Sequence, residues 1–250
     1  MSDDAQNDFR TFAAKAERLK VDTLSPVEKI QFLGKLGLLK NHMVTNAGLL
    51  LFGKSPQNVI PGAFVKIAYF SDDGTPLFQD EVNGPLVQQI PKVMDILYSK
   101  YFRSEIQFLG VQRVEVPPIP EIIMRELVVN AICHKEYASS IPVTIKLYRR
   151  KVSIINPGTW PEENVPVSKV FEDHFPDPHN PHIALALYKC GFVESYGSGL
   201  VKVGNICKTS HLPLPVFHIT PKFVEISLDM LNPTPEFDYS GTTIIADMFT

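Results

Sequence analysis

Apolar residues recur at two periods along the chain, and the switches between them mark its elements. The run Ala63-Phe64-Val65-Lys66-Ile67-Ala68-Tyr69-Phe70 alternates well enough for a half-buried strand. The turn-forming Asp72-Asp73-Gly74-Thr75-Pro76 follows, and then a second short strand over 78–82. Another strand is predicted over 106–116. Val143, Ile145 and Leu147 alternate with Thr144, Lys146 and Tyr148, and 152–155 returns, so 142–155 reads as a hairpin turned at Arg149-Arg150-Lys151. Residues 217–219 and 223–228 are closing strands. Helical spacing begins at Ser25-Pro26-Val27-Glu28, with Ser as N-cap and Pro first, and continues through Leu33, Leu36 and Leu39. It returns over 86–101, where Ile90, Val93, Met94, Leu97 and Tyr101 form one stripe and Pro91 lies in the first turns. A helix over 180–190 is stopped by Gly191, and Tyr196-Gly197-Ser198-Gly199-Leu200 opens another. Residues 1–22, part-helical around Phe9, Phe12, Ala16 and Leu19, read as a lead-in, and 232–250 as a tail.

One helical stretch breaks its own pattern. In 125–137, Leu127, Val128, Ala131 and Ile132 are apolar at helical spacing, yet Glu126, Asn130 and His134 interrupt them every four residues. Four residues turn a helix by about 400°, so the three polar groups fall on one face. A carboxylate, a carboxamide and an imidazole in an otherwise buried helix need partners, from the protein or from a ligand.

The composition excludes several classes. The 250 residues are 44% hydrophobic and 20% charged, with net charge −3, which is ordinary for a globular protein and unlike a nucleic-acid coat. Cys133, Cys190 and Cys207 are odd in number and show no Cys-x-x-Cys spacing, which points to a reducing compartment. No apolar run reaches the roughly 18 residues of a membrane span, and the N-terminus is no signal peptide, so a soluble cytoplasmic protein is expected.

Three local patterns carry less than they first suggest. Gly48-Leu49-Leu50-Leu51-Phe52-Gly53-Lys54-Ser55 matches a phosphate loop literally. That loop needs a strand before it and a helix after it, whereas Leu-Leu-Leu-Phe is itself helical and Pro56 and Pro61 follow. A short buried helix is predicted instead, started by Thr45 or Asn46 and ended by Gly53. His174, Asp177, His179 and His182 have spacings a metal could use, but the prolines among them favour a loop, with Asn180 capping the next helix. Lys146, Arg149, Arg150, Lys151 and Lys169 form the densest basic cluster, either a solvated turn or a nucleic-acid contact.

Taken in order, several of these motifs resemble a known family. Glu126-Leu127-Val128-Val129-Asn130-Ala131 resembles the N-box of the GHKL ATPases, the superfamily of gyrase, heat-shock chaperone, mismatch-repair and histidine-kinase ATP-binding domains. More closely, 45–228 resembles the RecG-like, helicase-related ATP-binding proteins and transcriptional regulators. The shared marks are Thr45 to Gly53, Arg125-Glu126 through Asn130-Ala131, and His134-Lys135-Glu136-Tyr137, where the family has His-Arg-Asp-Tyr. They continue with Asn156-Pro157-Gly158, Asn180-Pro181 and Glu194-Ser195-Tyr196-Gly197-Ser198-Gly199-Leu200. The resemblance implies ATP and magnesium as cofactors, with Glu126 as general base and Asn130 as the magnesium ligand. His134, Asn156, Gly158, Gly197, Ser198 and Gly199 would be further nucleotide contacts. A carboxylate and a carboxamide oxygen one turn apart suit those tasks, and a glycine-rich helix start suits phosphate.

Where GHKL domains carry Asp-x-Gly-x-Gly, this chain has Asn156-Pro157-Gly158-Thr159-Trp160. An asparagine still accepts a hydrogen bond from the adenine amino group, more weakly than a carboxylate, and Trp160 either stacks on a base or blocks the pocket. Cys133, three residues after Asn130, replaces an acidic residue of some relatives and reads as core.

The expected fold is α/β, a mixed and mainly antiparallel sheet layered with helices. A lead-in (1–22) and a helix–strand subdomain (23–116) precede a divergent GHKL ATPase-like domain (117–231), with Pro117-Pro118-Ile119-Pro120 at the boundary. Family members usually carry an upstream Schlafen AlbA-like DNA-binding domain, and this chain starts just after where it would end. The expected function is a nucleotide-binding, DNA-associated transcriptional regulator with weak ATPase activity at most and no helicase motor. The other reading is a degenerate ATPase-like scaffold for homodimerisation or partner contact without nucleotide. DNA contact through Lys146, Arg149, Arg150 and Lys151 is a third.

Overall fold

Alternating apolar residues build the sheet that carries everything else. The computed structural model describes residues 1–18, 26–109, 111–163, 165–175, 177–193 and 198–230. Within it, β3 (Val65–Phe70), β4 (Pro76–Val82), β7 (Val143–Leu147), β8 (Lys151–Pro157), β9 (Val216–Ile219) and β10 (Phe223–Asp229) form one six-stranded sheet in the order β4-β3-β7-β8-β10-β9. Every neighbouring pair is antiparallel except β3 with β7, which run parallel. One row of side chains crosses five of the strands: Ile67 beside Ile145, Ile145 beside Ile154, Ile154 beside Ile226, and Ile226 beside Phe217. A strand slipped by one residue would turn its member of this row to solvent, so the register is held by burial.

The α+β layering is completed by helices packed on that apolar row. Among the described residues they are α1 (Asp3–Lys15), α2 (Pro26–Lys35), α3 (Asn46–Phe52), α4 (Leu86–Ile96), α5 (Glu121–His134), α6 (Pro181–Lys189) and α7 (Ser198–Thr209). Helix α5 lies on β8 and touches α4, α6 and α7, so it is buried almost all round. It starts four residues earlier than the pattern predicts, straight after Pro120, and ends at His134 because Lys135 is already extended (ψ 135°).

Four expectations change in detail. Helix α1 belongs to the core rather than leading into it: Ala5, Phe9 and Ala13 are buried, and the Phe9 ring meets those of Phe32 and Phe52. Beyond it, the Arg18 guanidinium donates to the carbonyls of Tyr188 and Val193, tying the chain start to the end of α6. The stretch 106–116 is not one strand but a hairpin, β5 (Glu105–Leu109) antiparallel to β6 (Gln112–Val116). The 86–101 helix closes with a wider π-type turn over Leu97–Tyr101. Finally, Leu39 leaves the second helix and pairs with Val44 in the two-residue strands β1 (Leu39–Lys40) and β2 (Met43–Val44).

The phosphate-loop match is a helix. Thr45 caps α3 by accepting from the Gly48 amide at 3.2 Å, and Gly53 ends it. The amides that a phosphate loop would turn on its ligand are spent inside this helix. Ser25, the expected cap of α2, lies outside the described residues, as do Gly197 and the segment 231–250. No helix among the described residues is long and apolar enough to cross a membrane.

Candidate functional site

Helix α5 and the sheet do not close completely on each other. Between them lies a cavity of about 150 Å³. Its sheet wall is Ile154 and Asn156 from β8, Val224 and Ile226 from β10, and Phe217 from β9. Its helix wall carries Glu126, Asn130 and His134, the three polar residues of α5. Trp160, Val165, His174, Asp177, Gly199 and Leu200 are also among the lining residues. A void of about this size in an apolar interior admits one small aromatic ring.

The helix wall is ordered by one hydrogen bond. Asn130 Nδ2 donates to Glu126 Oε1 at 3.0 Å. A carboxylate only accepts, so the bond decides which way round the Asn130 amide lies and leaves Oδ1 as the end turned away from Glu126. Glu126 is 9% exposed and pressed against the first turn of α7: a Cβ on Gly199 would fall 1.8 Å from Glu126 Oε1. A side chain at 199 would have to displace that carboxylate, which at a helix N-terminus is favourably placed against the helix dipole. Ser198 begins the same turn but does not line the cavity.

His134 ends the helix inside this site. Burial draws its pKa down to about 4, the nearby His179 and His174 push the same way, and Asp177 opposes them. The imidazole is therefore neutral near pH 7. His174 and Asp177 share the lining with it, but His179 pairs with Glu136 (Nε2 to Oε2, 3.3 Å) and His182 packs against Gly37. The four residues with metal-like spacing thus disperse, and no group of three or more His, Cys, Asp or Glu able to hold a metal occurs among the described residues. Cys133 is buried and its thiol is pushed up to about 12 by burial and by Glu126, so it is core and not a nucleophile.

The sheet wall holds one conspicuous group. Asn156 is 6% exposed, and its Oδ1 finds no hydrogen-bond partner among the described residues. Trp160 does not plug the cavity: its Nε1 donates to the Val165 carbonyl at 2.7 Å and its ring meets Phe217 edge-on at 5.3 Å, so it stands as a wall. Gly158 serves a junction instead of the lining. With φ 151° it lets β8 approach the end of α5, where a Cβ would lie 3.0 Å from the His134 carbonyl oxygen.

Two residues of the motifs, Lys135 and Asn180, hold the end of α5 in a way that the pattern does not foretell. Lys135 is 1% exposed, and its ammonium donates to the carbonyls of Ile141 (2.7 Å), Glu136 (3.2 Å) and Ser139 (3.4 Å). Burial draws its pKa down to about 8, with Glu136 opposing. Asn180 does not cap α6 with its side chain. Its Nδ2 instead donates to the carbonyls of Cys133 (3.0 Å) and Lys135 (2.8 Å). Tyr137 Oη donates to the Ile132 carbonyl at 3.2 Å. Tyr137 and Asn180 thus satisfy carbonyls that the helix end leaves unpaired, while Lys135 gathers the carbonyls of the loop that follows it. Their sequence signal was present, since Lys135 and Tyr137 sit in the His-Lys-Glu-Tyr motif, but nothing local distinguishes such a cap from a ligand contact.

The basic residues lie elsewhere. Lys146 stands over the Phe70 ring (5.7 Å), Phe70 stacks on Tyr148 (5.5 Å), and Arg149, Arg150 and Lys151 border a groove that also contains Asp72 and Glu225.

With this geometry in place, likeness to known proteins can be stated. Residues 141–228 match the family model described as "Putative ATP-dependent DNA helicase recG C-terminal". The match takes in β7, β8, β9 and β10, and so the sheet wall of the cavity. This part of the chain is similar to the C-terminal, ATPase-related domain that the model describes. The solved structure of the DIP2311 protein from Corynebacterium diphtheriae superposes with a TM-score of 0.71 at 19% identity, over 92% of this chain. The chain spans 45% of that protein's length, and the likeness shows the shared fold. No curated protein matches the sequence.

Proposed function

We propose that this cavity binds a purine nucleotide together with magnesium, ATP being the expected ligand, in a DNA-associated regulator. The observation that carries the reading is the buried Oδ1 of Asn156, unpartnered among the described residues, in the wall of this cavity. An unmet acceptor in an apolar wall costs stability, about 1–3 kcal/mol, unless a ligand supplies the donor. The exocyclic amino group of a base is such a donor, and the Trp160 indole is a surface for its ring. On the helix wall, Asn130 Oδ1 is a hard oxygen of the kind magnesium takes, held in orientation by Glu126. Glu126 occupies the place of the general base. Its engagement with Asn130 and its fit against Gly199 favour binding over rapid turnover.

Thermal unfolding with and without magnesium-ATP tests this. At ligand tenfold above Kd the stabilisation is about 1.4 kcal/mol, a rise of roughly 3–5 °C for a chain of this size. Asn130→Ala should lose most of the rise. No rise at millimolar nucleotide in the unaltered protein sinks the reading and leaves the ATPase-like fold as a scaffold for partners.

A separate surface favours DNA as a second ligand. The Phe70 and Tyr148 rings beside Lys146, Arg149, Arg150 and Lys151 combine stacking faces with phosphate-neutralising charge. Retention on DNA should fall steeply with salt and be lost when Arg149, Arg150 and Lys151 are neutralised. Unchanged retention in that variant excludes this surface.

A further inference from the structure

The sheet wall of the cavity carries a buried hydrogen-bonding group that the fold leaves unspent, and that group is a carboxamide. Asn156 sits on β8 two residues from Ile154 and opposite Val224, with Ile226 and Phe217 beyond. The indole N–H of Trp160, which also lines the cavity, is used by Val165. The side chain of Asn156 makes no hydrogen bond to any described residue, and its Oδ1 is fully enclosed. This contrasts with Asn130, whose amide is fixed one way round by Glu126.

A carboxamide presents an acceptor and a donor side by side, and turning it over exchanges them. Adenine offers along one edge an amino donor beside a ring-nitrogen acceptor. Guanine offers at the same two positions a carbonyl acceptor beside a ring N–H donor. Each edge is the complement of one orientation of the amide. A carboxylate in the same place has acceptors only, and would set oxygen against oxygen where guanine carries its carbonyl.

We infer that Asn156 is the specificity-determining residue of the cavity, and that by turning over its carboxamide it accepts adenine and guanine nucleotides with comparable affinity. This rests on the nucleotide reading of the same cavity. Its surroundings suit the role, since the wall around the amide is apolar and holds neither orientation in advance. The rigid strand beneath it keeps the group in place while it turns.

Titration calorimetry on the whole chain with magnesium-ATP and magnesium-GTP reads the affinities. Quenching of Trp160, the single tryptophan, reports occupancy of the cavity independently. Dissociation constants within tenfold of each other support the inference. Asn156→Asp should weaken GTP at least tenfold relative to ATP, and Asn156→Leu should weaken both by a similar factor. A preference beyond tenfold in the unaltered protein, or an unchanged ratio in Asn156→Asp, overturns the inference while nucleotide binding stands. So does full retention of both ligands in Asn156→Leu. If neither nucleotide binds the unaltered protein, the nucleotide reading falls and this inference falls with it. Should circular dichroism show Asn156→Asp unfolded, the ratio in the unaltered protein and Asn156→Leu decide.

Discussion

Two buried polar places lie close together in this molecule and are treated in opposite ways. At the end of α5 every group is spent: Lys135 serves three carbonyls, Asn180 two and Tyr137 one. On the neighbouring strand, Asn156 is nearly as buried and its Oδ1 is left unmet. Gly158 brings the two within a few residues of each other, because the Glu136 amide donates to the Pro157 carbonyl at 2.8 Å. The contrast separates polarity that builds a site from polarity that a site keeps for its ligand. Burial alone does not tell the two apart; the presence or absence of partners does.

The largest effect expected is on the saturated side. Lys135→Met keeps most of the side-chain volume but leaves three carbonyls without their donor, and should cost about 3 kcal/mol, lowering the melting temperature by roughly 6–12 °C. A loss within error of zero would mean that water replaces the ammonium, and the end of α5 would not be the buried knot described above.

His134 stands between the two places and gives a smaller, pH-dependent effect. Its folded pKa of about 4 lies below its ordinary value of 6.5, so the folded state binds fewer protons than the unfolded state between those values. Stability from this group is therefore complete above pH 6.5 and is lost as pH falls towards 4, by about 2 kcal/mol at pH 5. Denaturant unfolding at several pH values, with His134→Gln as reference, isolates it. An unchanged difference between the two proteins from pH 7 to pH 4 rejects the neutral, buried imidazole.

The smallest effect, and the one of opposite sign, belongs to Asn156. Replacing an unpaired buried polar group by an apolar one of similar size is neutral or slightly favourable, so Asn156→Leu should leave the free protein unchanged or stabilise it by up to about 1 kcal/mol. It should at the same time abolish the nucleotide-dependent rise in melting temperature. If Asn156→Leu destabilises the free protein as much as Lys135→Met does, the two places are alike and the contrast is lost.

How much of this was legible in the chain depends on distance along it. Thr45 as a helix cap, Gly53 as a helix end and the rejection of the phosphate loop follow from neighbours within eight residues, and the structure has them all. The shared face of Glu126, Asn130 and His134 follows from helical spacing, and all three line the cavity. The hairpin of β5 and β6 was missed because alternation continues through its turn, so period alone does not separate one long strand from two short ones. The core role of helix α1 was missed because Phe9 owes its burial to Phe32 and Phe52, which no local window contains.

By itself the sequence determined the periods, and hence which face of each strand and helix turns inward, because an apolar stripe has the same cost in water wherever it is placed. It also determined the chemistry available on α5 and β8. Only the tertiary structure decided which polar groups would find partners. Lys135 read as part of the His-Lys-Glu-Tyr motif and Asn180 as the cap of the next helix, and both became donors to carbonyls that the fold brought to them. Asn156 read as a nucleotide contact, and its acceptor is left unmet among the described residues because the fold set it among Ile154, Val224 and Ile226. A hydrogen bond needs two groups within about 3 Å, and that distance is set by the packing of the whole chain.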